Sequence, residues 1–321
     1  MSELFSNIDL VDPELRPMLD AFGAFSLTAE LLPLMRQRPS WLEVDPADLG
    51  RTSVEERLIP GPSDSPDVVI RIYRPNDASD ALPCIFHIHG GGYVVGSAKD
   101  LEGAHLPMAS DLRCCIVSVE YRLAPETPFP GAIEDCYAAL AWVFENGEAL
   151  RIDPSRIGVM GESAGGGLAA ALALLVRDRG EYALAFQHLI YPMLDDRTCT
   201  ASDPHPHTGH FIWNADSNRF GWSSLLGHEP GGDDVSCYAA PARAGDLNGL
   251  PPTYLATGSL DLFLEEDLEY GRRLMRAGVP VELHVYPGAF HAFDAWPTSR
   301  VAQAARSDSL RFLTRAMRPR A

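Results

Sequence analysis

The stretch Arg156-Ile157-Gly158-Val159-Met160-Gly161-Glu162-Ser163-Ala164-Gly165, continuing into an Ala- and Leu-rich run to Arg179, decides how this chain is read. Arg156 to Met160 is a short, nearly unbroken apolar run, the pattern of a central strand covered on both faces. Ser163 to Arg179 reads as a helix. Between them, residues 161–165 fit G-x-S-x-G, a sharp strand-to-helix turn that needs small residues two before and two after the serine. Such a turn lifts a serine hydroxyl clear of the sheet and aims the first helical amides at it. The pentapeptide alone is a weak signal, since glycine-rich turns carry incidental serines. The strand before it and the helix after it make it specific.

The same rhythm recurs on both sides. Strand-like runs fall at 68–73, 84–88, 115–119, 186–191, 253–257 and 281–286. Helical stripes separate them: Ile133, Cys136, Tyr137, Leu140, Val143 and Phe144 form one, and 265–277 and 299–317 form others. Strand alternating with helix implies crossover units and a mostly parallel central sheet flanked by helices. An opening helix is expected from Leu15, Met18, Leu19 and Phe22, with Asp12-Pro13 as its cap and first turn; a second apolar stretch, 27–35, is broken by Pro33. Residues 195–234, rich in His, Trp, Phe and Gly, break the rhythm. A segment that long between two strands is functional or has helices of its own. It is read as an insertion over the carboxyl end of the sheet, paired with about residues 1–50, within one domain of 321 residues.

Composition narrows the partners. Twenty-six Lys and Arg stand against 44 Asp and Glu, a net charge of −18. That balance repels phosphate backbones and anionic lipid, so neither nucleic acid nor a membrane surface is expected as a partner. None of the six cysteines sits in a C-x-x-C pair, and they are expected to be reduced. The acidic amino terminus lacks the basic and apolar regions of a signal peptide, and the longest apolar run, 168–176, is about half a bilayer span. A cytoplasmic location is expected.

A second signal is His89-Gly90-Gly91-Gly92-Tyr93, directly after the 84–88 strand. Three glycines let the backbone approach a ligand and turn its N–H groups to one point. That is the arrangement of an oxyanion hole, to which the Ala164 amide would add a third donor. Neither the Lys-Ser/Thr ending nor the dinucleotide spacing of a phosphate loop is present. His89 is read as a loop organiser. A serine nucleophile on this type of fold is followed along the chain by an acid and then a histidine. Asp261 stands just beyond the 253–257 strand and His291 just beyond the 281–286 strand, both at the carboxyl edge. Glu265 and Asp267 read as helix-start charges, and His188 and His284 as sheet residues.

Four blocks now resemble the hormone-sensitive-lipase family of α/β-hydrolases, the group that includes many bacterial carboxylesterases. They are 89–92; Tyr121-Arg122-Leu123-Ala124-Pro125-Glu126; 161–166; and Gly258-Ser259-Leu260-Asp261 with Phe290-His291. They occur in the family's order and span about residues 54–295. The resemblance implies the α/β-hydrolase fold with a helical cap, built here from about 1–50 and about 195–234. It implies Ser163 as nucleophile, His291 as base and Asp261 as its orienter, with Gly91, Gly92 and Ala164 as oxyanion donors. It makes Arg122 and Glu126 structural, calls for no metal or organic cofactor, and favours homodimers through the last strand or the C-terminal helices. Departures are Glu162 for the more frequent Asp, Ser259 where Glu is common, Ala292 where Gly is usual, and Cys237 where proline is usual.

The expected activity is therefore hydrolysis of short- to medium-chain carboxylic esters in water. A histidine base must be neutral, so activity should rise through neutral pH. An amidase, carbamate hydrolase or lactonase on the same triad is the near alternative. A non-catalytic binding homologue is the distant one, disfavoured because His291 is present. His205, His207 and His210 could ligate a metal by residue type, but the interleaved prolines restrict their convergence. Phe211, Trp213, Phe220 and Trp222 would line a substrate pocket or pack the insertion onto the body.

Overall fold

The structure is a computed structural model that describes residues 7–23, 25–40 and 42–318. Three short helices open the chain: α1 (Arg16–Phe22), α2 (Leu32–Met35) and α3 (Pro46–Arg51). Then come β1 (Thr52–Ile59), β2 (Val68–Pro75), β3 (Leu82–Ile88), α4 (Glu102–Leu112), β4 (Cys115–Glu120), α5 (Gly131–Glu145), β5 (Ile152–Glu162) and α6 (Ala164–Arg179). β6 (Gln187–Ile190), α7 (Ala215–Leu226), β7 (Thr253–Gly258), α8 (Leu264–Arg276), β8 (Val281–Tyr286) and α9 (Arg300–Ala316) complete it.

One eight-stranded sheet runs in the order β1-β2-β4-β3-β5-β6-β7-β8. β1 and β2 pair antiparallel, as do β2 and β4, and every later pairing is parallel. This is the α/β-hydrolase fold anticipated above. From the β3/β5 boundary the chain winds outward in both directions, and the crevice beyond the strand ends at such a boundary is where open α/β sheets bind ligands. The pairing Ile88↔Gly161 therefore brings the glycine loop after β3 beside the serine turn after β5.

The residues of β3 are all buried, as a strand covered on both faces requires. α6 is buried from Ala164 through Val176, which its small side chains permit by letting the helix lie close to the sheet.

The structure departs from expectation in several elements. β1 was not anticipated because its sequence, TSVEERLI, is charged; it is an edge strand whose exposed residues face water. α4 was not anticipated because Gly103 and Pro107 interrupt its pattern. α1 begins at Arg16, with Pro17 in its first turn, rather than at Asp12-Pro13. Asp12 instead closes a local turn, its Oδ1 accepting from the Glu14 amide. β5 is longer than the 156–160 run, extending back to Ile152. All six cysteines are free thiols, four of them buried.

Arg36 makes the densest tie between the amino-terminal segment and the body. The Arg36 guanidinium donates to the backbone oxygens of Val94 and Ala124 and, through two nitrogens, to both carboxylate oxygens of Glu126, at 2.7–2.8 Å. These bonds hold the Glu126 carboxyl down to about 2. The Leu27 amide donates to Ser217 Oγ, and Asn214 Nδ2 to the Phe25 oxygen, so the same segment also meets the start of α7. An isolated surface pair contributes about 0–1 kcal/mol, but this one also occupies two backbone carbonyls. Arg36→Met is expected to leave the melting temperature of the body nearly unchanged while speeding proteolysis within residues 25–40. Digestion at an unchanged rate would show that the clamp does not hold the segment.

Candidate active site

Ser163 lies between β5 and α6 with φ +56° and ψ −123°, a conformation that costs a non-glycine residue strain. Its flanks leave no choice of residue. A Cβ on Gly165 would lie 2.1 Å from the Ile88 oxygen, and one on Gly161 2.3 Å from the Gly165 oxygen. The turn is closed by backbone bonds: the Ser163 amide donates to the Ile190 oxygen, and the Gly167 and Met193 amides both donate to the Ser163 oxygen. Ala164 is the first residue of α6, where helical amides have no intrahelical partner.

The acid and histidine arrive from the far side of the sheet. β7 and β8 pair through Gly258↔Tyr286, and their trailing loops are stitched by the Leu260 amide to the Ala289 oxygen and the Gly288 amide to Ser259 Oγ. Ser259, one of the departures from the family pattern, thereby braces the histidine loop. His291 Nδ1 lies 2.9 Å from Asp261 Oδ2, and His291 Nε2 lies 2.9 Å from Ser163 Oγ. Asp261 Oδ1 accepts from the Phe263 amide, and the imidazole is flanked edge-on by Tyr191 at 4.7 Å and Phe263 at 5.2 Å between ring centroids. Ser163 and His291 retain only 8% and 5% exposure. The structure thus brings together all three side chains singled out in the sequence, in a line that can pass a proton from the serine hydroxyl to an imidazole oriented by a carboxylate.

The glycine loop lies alongside. Gly91 and Gly92 have φ +115° and +59°. The Val94 and Val95 amides both donate to the Gly91 oxygen, and Tyr121 donates its hydroxyl to the His89 oxygen. His89 donates from Nδ1 to the Gly90 oxygen at 2.8 Å and stacks on Tyr121, as suits a loop organiser. Trp213 packs directly on this loop: a Cβ on Gly92 would lie 2.4 Å from its indole Cη2. The indole N–H donates to Asn218 Oδ1, which fixes the ring over the glycine.

Several contributors carried no sequence signal. Behind Ser163, the Glu162 carboxyl lies 3.0 Å from His87 Nε2, and His87 Nδ1 lies 2.9 Å from Ser118 Oγ. Burial pushes Glu162 up to about 8 and His87 down to about 3. At neutral pH both are uncharged, so the carboxylic acid donates to the imidazole, which donates to the serine. Arg122 forms a bidentate pair with the buried Asp135, and Glu126 meets Arg36; neither partner was visible from the motif. Asp267 stands in the first turn of α8 as expected, but it is fully buried, and burial beside Glu266 and Asp261 pushes its carboxyl well up. Glu266 is also buried and accepts from the amides of Leu194 and Asp195.

The histidine cluster does not converge. The His207 amide donates to His205 Nδ1, His207 Nδ1 lies 2.8 Å from Asn7 Oδ1, and His210 Nε2 bonds the Pro206 oxygen. Among the described residues no group of three or more His, Cys, Asp or Glu is arranged to hold a metal ion. His188 bonds Ser309 and His284 bonds Glu282, both away from Ser163. Among the described residues no helix is long and apolar enough to cross a membrane.

Glu162 makes a measurable signature. An unfolded glutamate loses its proton near the ordinary 4.5, whereas the folded one keeps it to about 8. The folded state therefore binds more protons between those values, and stability falls as pH rises through that window. Glu162→Gln has no proton to lose. Melting temperatures from about pH 5 to 8 should decline more steeply for the unaltered protein than for the variant; parallel curves would contradict a buried, protonated Glu162.

Comparison with known proteins agrees with this architecture. Residues 85–295 match the family model described as alpha/beta hydrolase fold. Carboxylesterase NlhH of Mycobacterium tuberculosis is 36% identical over 292 residues, covering 88% of each chain. The ethyl acetate hydrolase of Pseudomonas putida is 30% identical, covering 88% of this chain and 92% of its own. The solved structure titled Bacterial Heroin Esterase superposes with a TM-score of 0.86 at 38% identity, covering 97% of this chain and 99% of that one. With the elbow, the glycine loop and the acid and histidine loops all in the family's order, this chain belongs to the hormone-sensitive-lipase-like branch of the α/β-hydrolases.

Proposed function

We propose that this chain hydrolyses short- to medium-chain carboxylic esters through an acyl-enzyme formed on Ser163. The coarser statement, that it is a carboxylic ester hydrolase, follows from relatives named carboxylesterase, esterase and ethyl acetate hydrolase. The finer reading rests above all on the unbroken line from Asp261 through His291 to Ser163 Oγ at two distances of 2.9 Å.

Ser163 Oγ attacks the ester carbonyl carbon as His291 Nε2 takes its proton. Asp261, accepting from Nδ1–H, fixes the tautomer and stabilises the imidazolium. The carbonyl oxygen becomes an oxyanion held by the amides of Gly91, Gly92 and Ala164, each contributing roughly 3 kcal/mol of transition-state stabilisation. His291 returns the proton to the alcohol oxygen, the C–O bond breaks and the alcohol leaves. Water, deprotonated by the same imidazole, then attacks the acyl carbon; the carboxylic acid departs and Ser163 regains its proton. The chain's own groups supply every proton transfer in this route.

We assign the acyl limit to Trp213, whose indole packs against Gly92 beside Ser163. About residues 1–50 and about 195–234 form the proposed cap, which Arg36 ties to the body and in which Asn214 joins the two segments. Homodimers, on the family resemblance, and a cytoplasmic location, on the acidic amino terminus, belong to the same proposal.

The test is hydrolysis of p-nitrophenyl esters from acetate to palmitate by the unaltered protein and Ser163→Ala. Activity should peak at short chains and fall by at least about 10³-fold in the variant. Trp213→Ala should move the optimum to longer acyl chains. Equal rates with and without Ser163 would overturn the mechanism, and matched amides cleaved faster than esters would favour an amidase.

A further inference from the structure

We infer that the alcohol portion of the ester is received in a partly open cavity behind Tyr191 and Glu162, and that this cavity selects esters of flat, uncharged aromatic or alicyclic alcohols over those of small alkanols. The inference rests on the acyl-enzyme reading above and adds to it the leaving-group class and the residue that governs entry.

A cavity of about 320 Å³ lies between α4 and α9, against the carboxyl ends of β5, β6 and β7. That volume is in the range of small-ligand sites. Its inner wall is built from the neighbours of the reacting groups: Glu162 directly precedes Ser163, and Asp294 follows three residues after His291. Tyr191, on the same wall, lays its ring edge-on against the imidazole of His291. Ala104 and Met108 of α4 line the opposite side. Neither Ser163 nor His291 touches the cavity, so Tyr191 is the partition between it and the reacting atoms.

The chemistry assigns this side to the alcohol. In the tetrahedral adduct the oxyanion points to the glycine loop, and the leaving oxygen must face His291 Nε2, from which it takes its proton. On the glycine side the Trp213 indole packs directly against Gly92. On the histidine side the next ring is Tyr191, and beyond it the chain leaves a cavity. An alcohol larger than a few carbons reaches that cavity by turning the Tyr191 ring, which is held by a hydrogen bond of 2.7 Å from its hydroxyl to Asp294 Oδ1.

The walls specify the guest. They are largely apolar and aromatic, which suits a flat ring. Glu162 is uncharged at neutral pH and the Asp294 carboxyl is taken up by the Tyr191 hydroxyl, so the inner wall offers no free charge to repay the desolvation of a charged alcohol. His105 also lines the cavity, buried to 1% exposure, with no hydrogen-bond partner at either ring nitrogen. A polar group of the guest, or a water carried with it, would satisfy that imidazole.

The experiment compares ethyl acetate with 1-naphthyl acetate, which share an acyl group and differ in the alcohol. The unaltered enzyme should show a KM about tenfold lower for 1-naphthyl acetate. Ala104→Phe and Met108→Trp, which fill the cavity from α4, should raise that KM by about fivefold or more while changing kcat/KM for ethyl acetate less than about twofold. Ethyl acetate hydrolysis also reports that each variant folds. Independently of turnover, 1-naphthol should bind Ser163→Ala and should inhibit the unaltered enzyme competitively against ethyl acetate, and adding Ala104→Phe should abolish its binding. KM values that rise equally for both esters, or 1-naphthol binding that survives the filled cavity or fails to compete, would overturn the assignment. An unaltered protein that hydrolyses neither ester would instead sink the esterase mechanism, and 1-naphthol binding would still decide whether the cavity takes an aromatic alcohol.

Discussion

The close approach of two backbones at the β3/β5 boundary is the constraint on which the rest of the site depends. The first turn of α6 lies so near the end of β3 that no side-chain atom fits at Gly165, and the serine turn folds back so tightly that none fits at Gly161. Ser163 is held in its strained conformation by that crowding and by three backbone hydrogen bonds to its own peptide groups. A strained residue persists only where its surroundings over-determine it. Here the over-determination also sets the separation between the serine hydroxyl, the first amides of α6 and the glycine loop.

Around this rigid centre the chain places uncharged or fully paired polar groups. Glu162 and His87 are both neutral at physiological pH, and their hydrogen bonds continue to Ser118 within the sheet. Arg122 with Asp135, and Arg243 with Asp196, join a guanidinium to a carboxylate with no exposed surface, each through two bonds. Breaking such a pair leaves a buried charge uncompensated, which is why these contacts position loops more than they add stability. A protein with a net charge of −18 must settle its buried acids in this way, by protonation or pairing.

The two sides of Ser163 are built differently. On the glycine-loop side Trp213 donates its indole N–H to Asn218 and packs against Gly92. On the histidine side a single tyrosine, held by one hydrogen bond, stands before a cavity. Under the proposed assignment the side bounded by Trp213 takes the acyl group and the side bounded by Tyr191 takes the alcohol.

Much of this was legible in the residues themselves. The apolar runs, the glycines at 161 and 165 and the order of Ser163, Asp261 and His291 are local patterns, and local sterics and strand order are what such patterns encode. β1 and α4 were hidden because an edge strand is free to be charged and a helix is free to carry glycine and proline when packing supports it. Asp267 looked like a solvated helix-start charge and proved to be buried, because burial is a property of what packs above a residue. Arg36 meeting Glu126, Trp213 over Gly92, His87 behind Glu162 and Tyr191 before the cavity each join segments tens of residues apart or more. Such contacts depend on the relative placement of elements, which no window of sequence contains. The chain's sequence determined the fold and the kinds of reacting groups; only the tertiary structure decided their neighbours, their charge states and the space left for a substrate.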